Sequence, residues 1–187
     1  SGADTITING FTGNETITAP NIPSTISGNI GNDSITGGSS NDILKGEAGN
    51  DNLTGGAGAD SLIGGDGDDT YWFNTNDIDS GESITETSNG GTDTISIVTN
   101  TDFANLAAAN FDEIEIIEFS GPNKTGTFTG LQLTGETLSL AESSTGTSNL
   151  VINVGAGETA TFANLTASSS FSSGTDTVTI NGSTGNE

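Results

Sequence analysis

The sequence predicts an all-β protein: a parallel β-roll (a β-helix of nonapeptide repeats), followed by a β-rich region that either forms a sandwich or prolongs the roll. Three observations predict it. A nine-residue period runs unbroken from Gly28 to Trp72, short Thr-, Ile- and Val-rich alternating stretches punctuate Phe73 to Ser172, and the chain ends on a near-copy of its own beginning.

Written in register, the nine-residue units are GNIGNDSIT from Gly28, GGSSNDILK from Gly37, GEAGNDNLT from Gly46, GGAGADSLI from Gly55 and GGDGDDTYW from Gly64. Position 1 is always Gly. Position 6 is always Asp, at Asp33, Asp42, Asp51, Asp60 and Asp69, and position 8 is large and apolar, at Ile35, Leu44, Leu53, Leu62 and Tyr71. A net charge of −23 and 28 glycines would otherwise suit a disordered chain, but disorder gives no reason to fix three positions in five successive units. The frame extends backwards in weaker form, since Ile8, Ile17 and Ile26 keep the spacing while Glu15 and Ser24 stand at position 6. The roll is therefore expected over residues 1–72, with its metal sites from about residue 28.

Each unit reads as six residues of turn and three of strand, with the position-8 side chain pointing inward. Two units make one coil, and coils stack as parallel strands about 4.8 Å apart. Gly at positions 1, 2 and 4 lets the turn adopt left-handed backbone angles and aim its carbonyls at one point. The Asp at position 6 adds a hard anionic oxygen. Calcium takes six to eight oxygen ligands with tolerant geometry, whereas magnesium keeps its waters and zinc prefers the His and Cys that this chain lacks. Calcium is the expected ion.

Beyond the roll, Asp93–Val98, Glu113–Phe119, Leu131–Leu133, Thr137–Leu140 and Leu150–Val154 read as short strands separated by Asn, Gly and Ser. Alanine-rich Phe103–Asn110 reads as one helical turn. The Glu113, Glu115 and Glu118 stripe reads as the wet face of a strand. Tyr71-Trp72-Phe73 is expected to cap the open end of the coil rather than to stack against sugars. Asp77, Asp79 and Glu82 suit a solvated loop as well as a ligand role.

SGADTITINGFTGNE at residues 1–15 recurs as SGTDTVTINGSTGNE at 173–187, identical at 12 of 15 positions. Such a recurrence predicts units in series. The expected organisation is a calcium-binding roll over 1–72, a β-rich domain over 73–172 and the start of the next tandem repeat at 173–187.

Composition narrows the function. Lys45 and Lys124 stand alone against 25 acidic residues. That balance argues against nucleic acid, whose binding rests on neutralising phosphates, and against anionic lipid. No apolar run approaches the roughly 20 residues that insert in a membrane as a helix. Without His, Cys or Arg, a Ser–His triad, a Cys nucleophile and a His-ligated zinc cannot be assembled. Paired carboxylates can hydrolyse glycosides, but here the acidic clusters are accounted for as metal ligands, and no enzyme activity is expected.

The units resemble the RTX (repeats-in-toxin, or hemolysin-type) calcium-binding repeat, GGxGxDxUx with U large and apolar. The longer signature D-x-[LI]-x4-G-x-D-x-[LI]-x-G-G-x3-D fits twice in overlap, from Asp42 to Asp60 and from Asp51 to Asp69. The continuation through Gly67–Phe73, Asp77–Glu86 and Gly90–Ile97 is also similar to the segment that succeeds such repeats in large secreted proteins. The resemblance implies ions held between same-side turns of adjacent coils. The earlier turn would give the carbonyls of positions 2 and 4 plus its Asp, and the later turn the carbonyls of positions 1, 3 and 5. One ion would take Asn29, Gly31 and Asp33 with Gly46, Ala48 and Asn50. A second would take Gly38, Ser40 and Asp42 with Gly55, Ala57 and Ala59. A third would take Glu47, Gly49 and Asp51 with Gly64, Asp66 and Asp68. Asp60, with Gly56 and Gly58, and Asp69, with Gly65 and Gly67, would serve the C-terminal edge, closed by Asp77 or Asp79. About three to five Ca2+ ions are implied. Ser40, at a position where Gly is usual, marks the second site as the one whose turn departs from the pattern.

The same resemblance implies a calcium-stabilised structural or adhesive module of a secreted bacterial cell-surface protein, of surface-layer (S-layer) or giant-adhesin type, exported in one step (type I secretion) and folding on extracellular calcium. Its expected partners are neighbouring copies in a tandem array or lattice. The alternatives are the calcium-folded tail of a secreted enzyme and a module that binds cell-surface glycan. An ice-binding surface lacks its threonine rank, because position 3 reads Ile30, Ser39, Ala48, Ala57 and Asp66.

Overall fold

The computed structural model describes residues 4–87, 90–134, 136–171 and 176–182. Of the recurring segment, residues 1–3, 173–175 and 183–187 lie outside the described residues. The described residues form a parallel β-solenoid of three sheets. Numbered along the chain, the first sheet stacks β1 (Ile6–Asn9), β3 (Ser24–Ile30), β5 (Ile43–Ala48), β7 (Ser61–Asp66) and β9 (Ser83–Thr85). The second, of eight strands, stacks β2 (Thr16–Thr18), β4 (Ser34–Thr36), β6 (Asn52–Thr54), β8 (Thr70–Phe73), β10 (Thr94–Ile97), β12 (Ile116–Phe119), β14 (Leu138–Glu142) and β16 (Leu165–Ala167). The third stacks β11 (Thr101–Asp102), β13 (Thr125–Thr129), β15 (Asn149–Val154) and β17 (Thr177–Gly182). Of the two expectations for the second half, prolongation of the coil is the one the structure has.

Register follows the repeat. Ile8 faces Ile26, Leu44 and Leu62 in turn, and Ile17 faces Ile35, Leu53 and Tyr71, each pair separated by two nonapeptide units. Position 8 is therefore a column, and a slip of one residue would turn it out to solvent. From Ile26 to Tyr71 these side chains are fully buried. After Tyr71 the coil lengthens. Tyr71 pairs with Ile95, Ile95 with Ile117, Ile117 with Leu140 and Leu140 with Ala167, and every one of these steps is longer than two nonapeptide units.

A longer coil encloses a wider interior, and larger side chains fill it. Phe103 stacks on Phe128 at 4.5 Å between centroids, with Phe73 and Phe111 edge-on to Phe103. Tyr71 and Phe73 are thus core residues in mid-stack, and only Trp72 faces outward, its Nε1 donating to Asn52 Oδ1 at 3.0 Å. The expected cap at an open end is not what they form, because β10 continues the sheet past them.

Two other expectations shift. The helical turn lies at Ala108–Phe111, as a 3-10 turn. Leu131–Leu133 is a turn instead of a strand, since the side chain of Gln132 takes over backbone bonding there. Its Nε2 donates to the carbonyls of Phe103 and Leu106, and its Oε1 accepts the Thr129 N–H, all at 2.6 Å.

Candidate metal centre

The position-6 aspartates form two carboxylate ladders, one along each edge of the roll. On one edge, Oδ1 of Asp33, Asp51, Asp69 and Asp93 accepts the N–H of Glu15, Asp33, Asp51 and Asp69 at 2.7–2.8 Å, and Glu115 Oε2 accepts the Asp93 N–H. On the other, Asp42 Oδ1 accepts from Ser24, Asp60 Oδ1 from Asp42, and Glu82 Oε2 from Asp60. Every rung ties one coil to the next. The Asp side chains are all about 1% exposed.

These bonds use one oxygen of each carboxylate. Among the described residues, Asp33, Asp51, Asp60 and Asp69 Oδ2 and Glu82 Oε1 are buried without a hydrogen-bond partner. A buried carboxylate oxygen with no donor costs several kcal/mol unless a cation sits on it, and two lysines cannot serve them all. The donor set is oxygen throughout, which fits a hard divalent ion.

The geometry of position 1 supports the same assignment. A Cβ on Gly28 would overlap Asp33 Oδ2 and lie 3.0 Å from the Gly46 carbonyl oxygen; at Gly46 it would overlap Asp51 Oδ2 and lie 2.8 Å from the Gly64 carbonyl oxygen. The carboxylate and a carbonyl of the next coil thus meet beside each glycine, which is why that position carries no side chain. In this way Asp33 comes together with Gly46, and Asp51 with Gly64. The Ala48 and Asp66 carbonyls, also in the expected sets, accept the N–H of Gly31 and Gly49 at 2.8 Å, each keeping a second lone pair. Asn50 and Asp68 hold the turns from outside, where the N–H of Asn50 donates to Asn32 Oδ1 and that of Asp68 to Asn50 Oδ1.

Position 4 is left-handed in four turns, with φ of 136°, 133°, 121° and 127° at Gly31, Gly49, Gly58 and Gly67. At position 2, Gly56 and Gly65 are left-handed too, but Asn29 and Glu47 hold φ of 79° and 80° with a side chain attached. That conformation costs a non-glycine residue roughly 1 kcal/mol. Glu47→Gly should therefore raise the thermal midpoint of the calcium-loaded protein by about 3 °C; a scan showing a fall would mean that the Glu47 side chain stabilises its turn.

The turn from Gly37 differs. Neither Gly38 nor Ser40 is left-handed, and Asp42 Oδ2 accepts the Gly38 N–H at 2.8 Å. Both Asp42 oxygens are then held by backbone donors, while Gly55 presents its carbonyl to Gly37 and the Ala57 N–H donates to the Gly38 carbonyl. Ala59 donates its N–H to Asn41 Oδ1. Of the three expected inter-coil sites, this one offers the least free charge.

At the C-terminal edge the structure adds residues that the repeat does not announce. Asp69, Glu86 and Asp93 bring carboxylate oxygens within 4.8 Å of one another, and the Tyr71 hydroxyl donates to Glu86 Oε1. Glu82 lies beside Asp60, accepting its N–H. Asp77 Oδ2 accepts the Asn74 N–H at 2.7 Å, closing its own loop, and Asp79 Oδ2 accepts the Gly58 N–H at 3.0 Å. Glu115 is a rung of the ladder rather than a solvated strand residue. Glu82, for which the sequence left a ligand role open, and Asp93, which it did not single out, share a local signal with the repeat, an acid followed by one polar or small residue and a buried apolar one: Glu82-Ser83-Ile84 and Asp93-Thr94-Ile95 match Asp60-Ser61-Leu62 and Asp69-Thr70-Tyr71.

Burial is the main cause that lifts these acids above the usual carboxylate range, with their neighbours' charges adding to it. Asp51, Asp60 and Asp93 rise to about 6, Glu86 to about 7, and Asp69 and Glu82 to about 8. In metal-free protein the folded state therefore binds more protons than the unfolded chain between about pH 4 and 8, so stability falls as pH rises through that window. Calcium reverses the sign, because protons then compete with the ion. Dialysed, metal-free protein should therefore show more β signal at pH 5 than at pH 8, whereas calcium-loaded protein should melt lower at pH 5 than at pH 8. Parallel trends would refute the assignment of these carboxylates to the metal.

Residues 24–53 and 45–77 match the family model of the RTX calcium-binding nonapeptide repeat (4 copies). Residues 24–77 thus carry the pattern of a calcium-binding repeat module, and the structure gives them β-roll form. No curated protein and no solved structure matches the chain.

Proposed function

We propose that this chain is a calcium-stabilised structural or adhesive repeat of a large secreted cell-surface protein, which folds when it meets extracellular calcium and stands in series with copies of itself. The observation that carries the reading is the pair of carboxylate ladders in which the second oxygens of Asp33, Asp51, Asp60, Asp69 and Glu82 are buried without a hydrogen-bond partner. A chain of that kind is poorly folded at low calcium and ordered at millimolar calcium, the difference between the inside and outside of a cell. RTX repeats typically occur in secreted proteins, and the recurrence of residues 1–15 at 173–187 favours an array over the single tail of an enzyme. Antibody against the chain should label intact cells, and an EGTA wash should strip that label. Label confined to permeabilised cells would defeat the surface reading.

A glycan-binding role draws on one feature, Trp72 on the outer face of β8 beside Asn52, Ser34 and Thr54. A half-buried indole among hydroxyl and amide groups suits stacking on a sugar ring. A glycan array probed with calcium-loaded native protein and Trp72→Ala would reveal it by signal lost in the variant.

A further inference from the structure

We infer that successive copies join without a linker, Thr177–Gly182 serving at once as the last strand of one copy and the first strand of the next, so that the sheets run through the junction as one solenoid. This rests on the reading of units in series and adds how they connect.

Asp4–Gly10 (DTITING) and Asp176–Gly182 (DTVTING) differ only at Ile6 and Val178, yet the structure uses opposite edges of the two. β1 bonds to the strand after it, β3, with Ile8 opposite Ile26; β17 bonds to the strand before it, β15, with Ile180 opposite Ile152. Among the described strands, β1 and β17 are the outer members of their sheets. One sequence therefore fits both neighbours. A strand making both pairings at once has β15 of one copy on one side and β3 of the next on the other.

The side chains agree. Ile26 and Ile152 are fully buried, whereas Ile180 is 55% exposed and Ile8 only half-buried. Each of the latter has half of an interior position, and together the halves make a whole one. Asp176 Oδ1 accepts the Ser148 N–H at 2.8 Å, repeating the rung from Ser24 to Asp42, and Asp176 Oδ2 is buried without a partner. Asn181 Nδ2 donates to Asn153 Oδ1 at 3.0 Å; the same amide in the first copy is Asn9. The second sheet keeps count as well. With Ser1 of the next copy standing at Ser173, the next Ile17 falls as far beyond Ala167 as Ile117 lies beyond Ile95. The third sheet of one copy thus becomes the first sheet of the next. Each copy covers the exposed strand edge that the last one leaves, which would otherwise invite pairing with foreign chains.

The test is a two-copy protein, residues 1–172 followed by residues 1–187, in saturating calcium. Eight strands in the longest sheet, at about 4.8 Å each, predict a gain of about 38 Å in maximum dimension by small-angle scattering, as one rigid body. Backbone amides of the junction strand should exchange with deuterium at least tenfold more slowly than those of Thr177–Gly182 in the single copy. Ile8→Asp in the second copy, at the junction, should restore fast exchange there while each copy keeps its calcium response. Two bodies that swing freely, a junction exchanging as fast as in the single copy, or a second-copy Ile8→Asp protein with its junction still protected would each overturn the inference. Circular dichroism of the single copy reports separately on the wider reading: indifference to calcium defeats that, whereas a calcium-folded but freely bending pair defeats only the continuous junction.

Discussion

Chelation with EGTA should remove most of the β signal in circular dichroism, and millimolar calcium should restore it. The expected size comes from simple linkage. Extracellular sites of this type often bind at about 10⁻⁴–10⁻³ M, and at tenfold excess over Kd each site adds RT ln 11, roughly 1.4 kcal/mol. Three or four sites then supply about 4–6 kcal/mol, comparable with the whole stability of a small domain. Without the ions the same carboxylates repel one another at spacings fixed by the ladder, and a glycine-rich backbone has much entropy to lose. The coils from Ile95 onward stack on β8, the last strand of the regular repeat, so their first surface goes with it. A β spectrum unchanged in EGTA would show that hydrophobic columns alone hold the stack.

Gly46→Ala should both destabilise the roll and cost it a calcium ion. The added carbon would meet Asp51 Oδ2 on one side and the Gly64 carbonyl on the other. Neither yields easily: Asp51 is anchored by the Asp33 N–H, and Gly64 is buried between packed strands. Overpacking of this kind costs about 1–3 kcal/mol, and displacing the carboxylate forfeits an ion worth about another 1.4 kcal/mol. The thermal midpoint should fall by about 10 °C, and titration calorimetry should count one calcium fewer. Ala57→Ser, on the exposed third position, should change neither. A Gly46→Ala protein with the native midpoint and calcium count would mean that Asp51 does not rest over position 1.

The regular roll was legible because its physics is periodic. Three fixed positions out of nine specify the turn glycine, the ladder acid and the core residue, and the structure stacks the acids and the core residues coil upon coil. The fixed glycine at position 1 has a second reason that the sequence does not state, since its missing side chain makes room for the Asp five residues on. Legibility stops after Trp72, where insertions lengthen the coil beyond two nonapeptide units and the period is lost. Glu82, Asp93 and Glu115 continue the ladders, but only the stacking of β9, β10 and β12 brings them into line. The third sheet was equally hidden. β11 is two residues long and β13 begins Thr-Gly-Thr, and both are strands because the neighbouring coil offers them a template. Leu131–Leu133 shows the converse, an apolar alternation turned into a bend by one buried glutamine.

One coil per layer also decides how such a molecule meets a mechanical load. Tension on the two ends peels layers away singly instead of shearing the whole stack. A layer of two nonapeptide units, which occupies about 4.8 Å along the axis, releases about 60 Å of thread, and the longer layers of the second half about 75–90 Å. Any assembly built from this unit would thus release slack in measured steps under load. Ions clasped between layers of the first half would leave slack to be drawn first from the second, and the calcium of the surroundings would then set how hard the rest must be pulled.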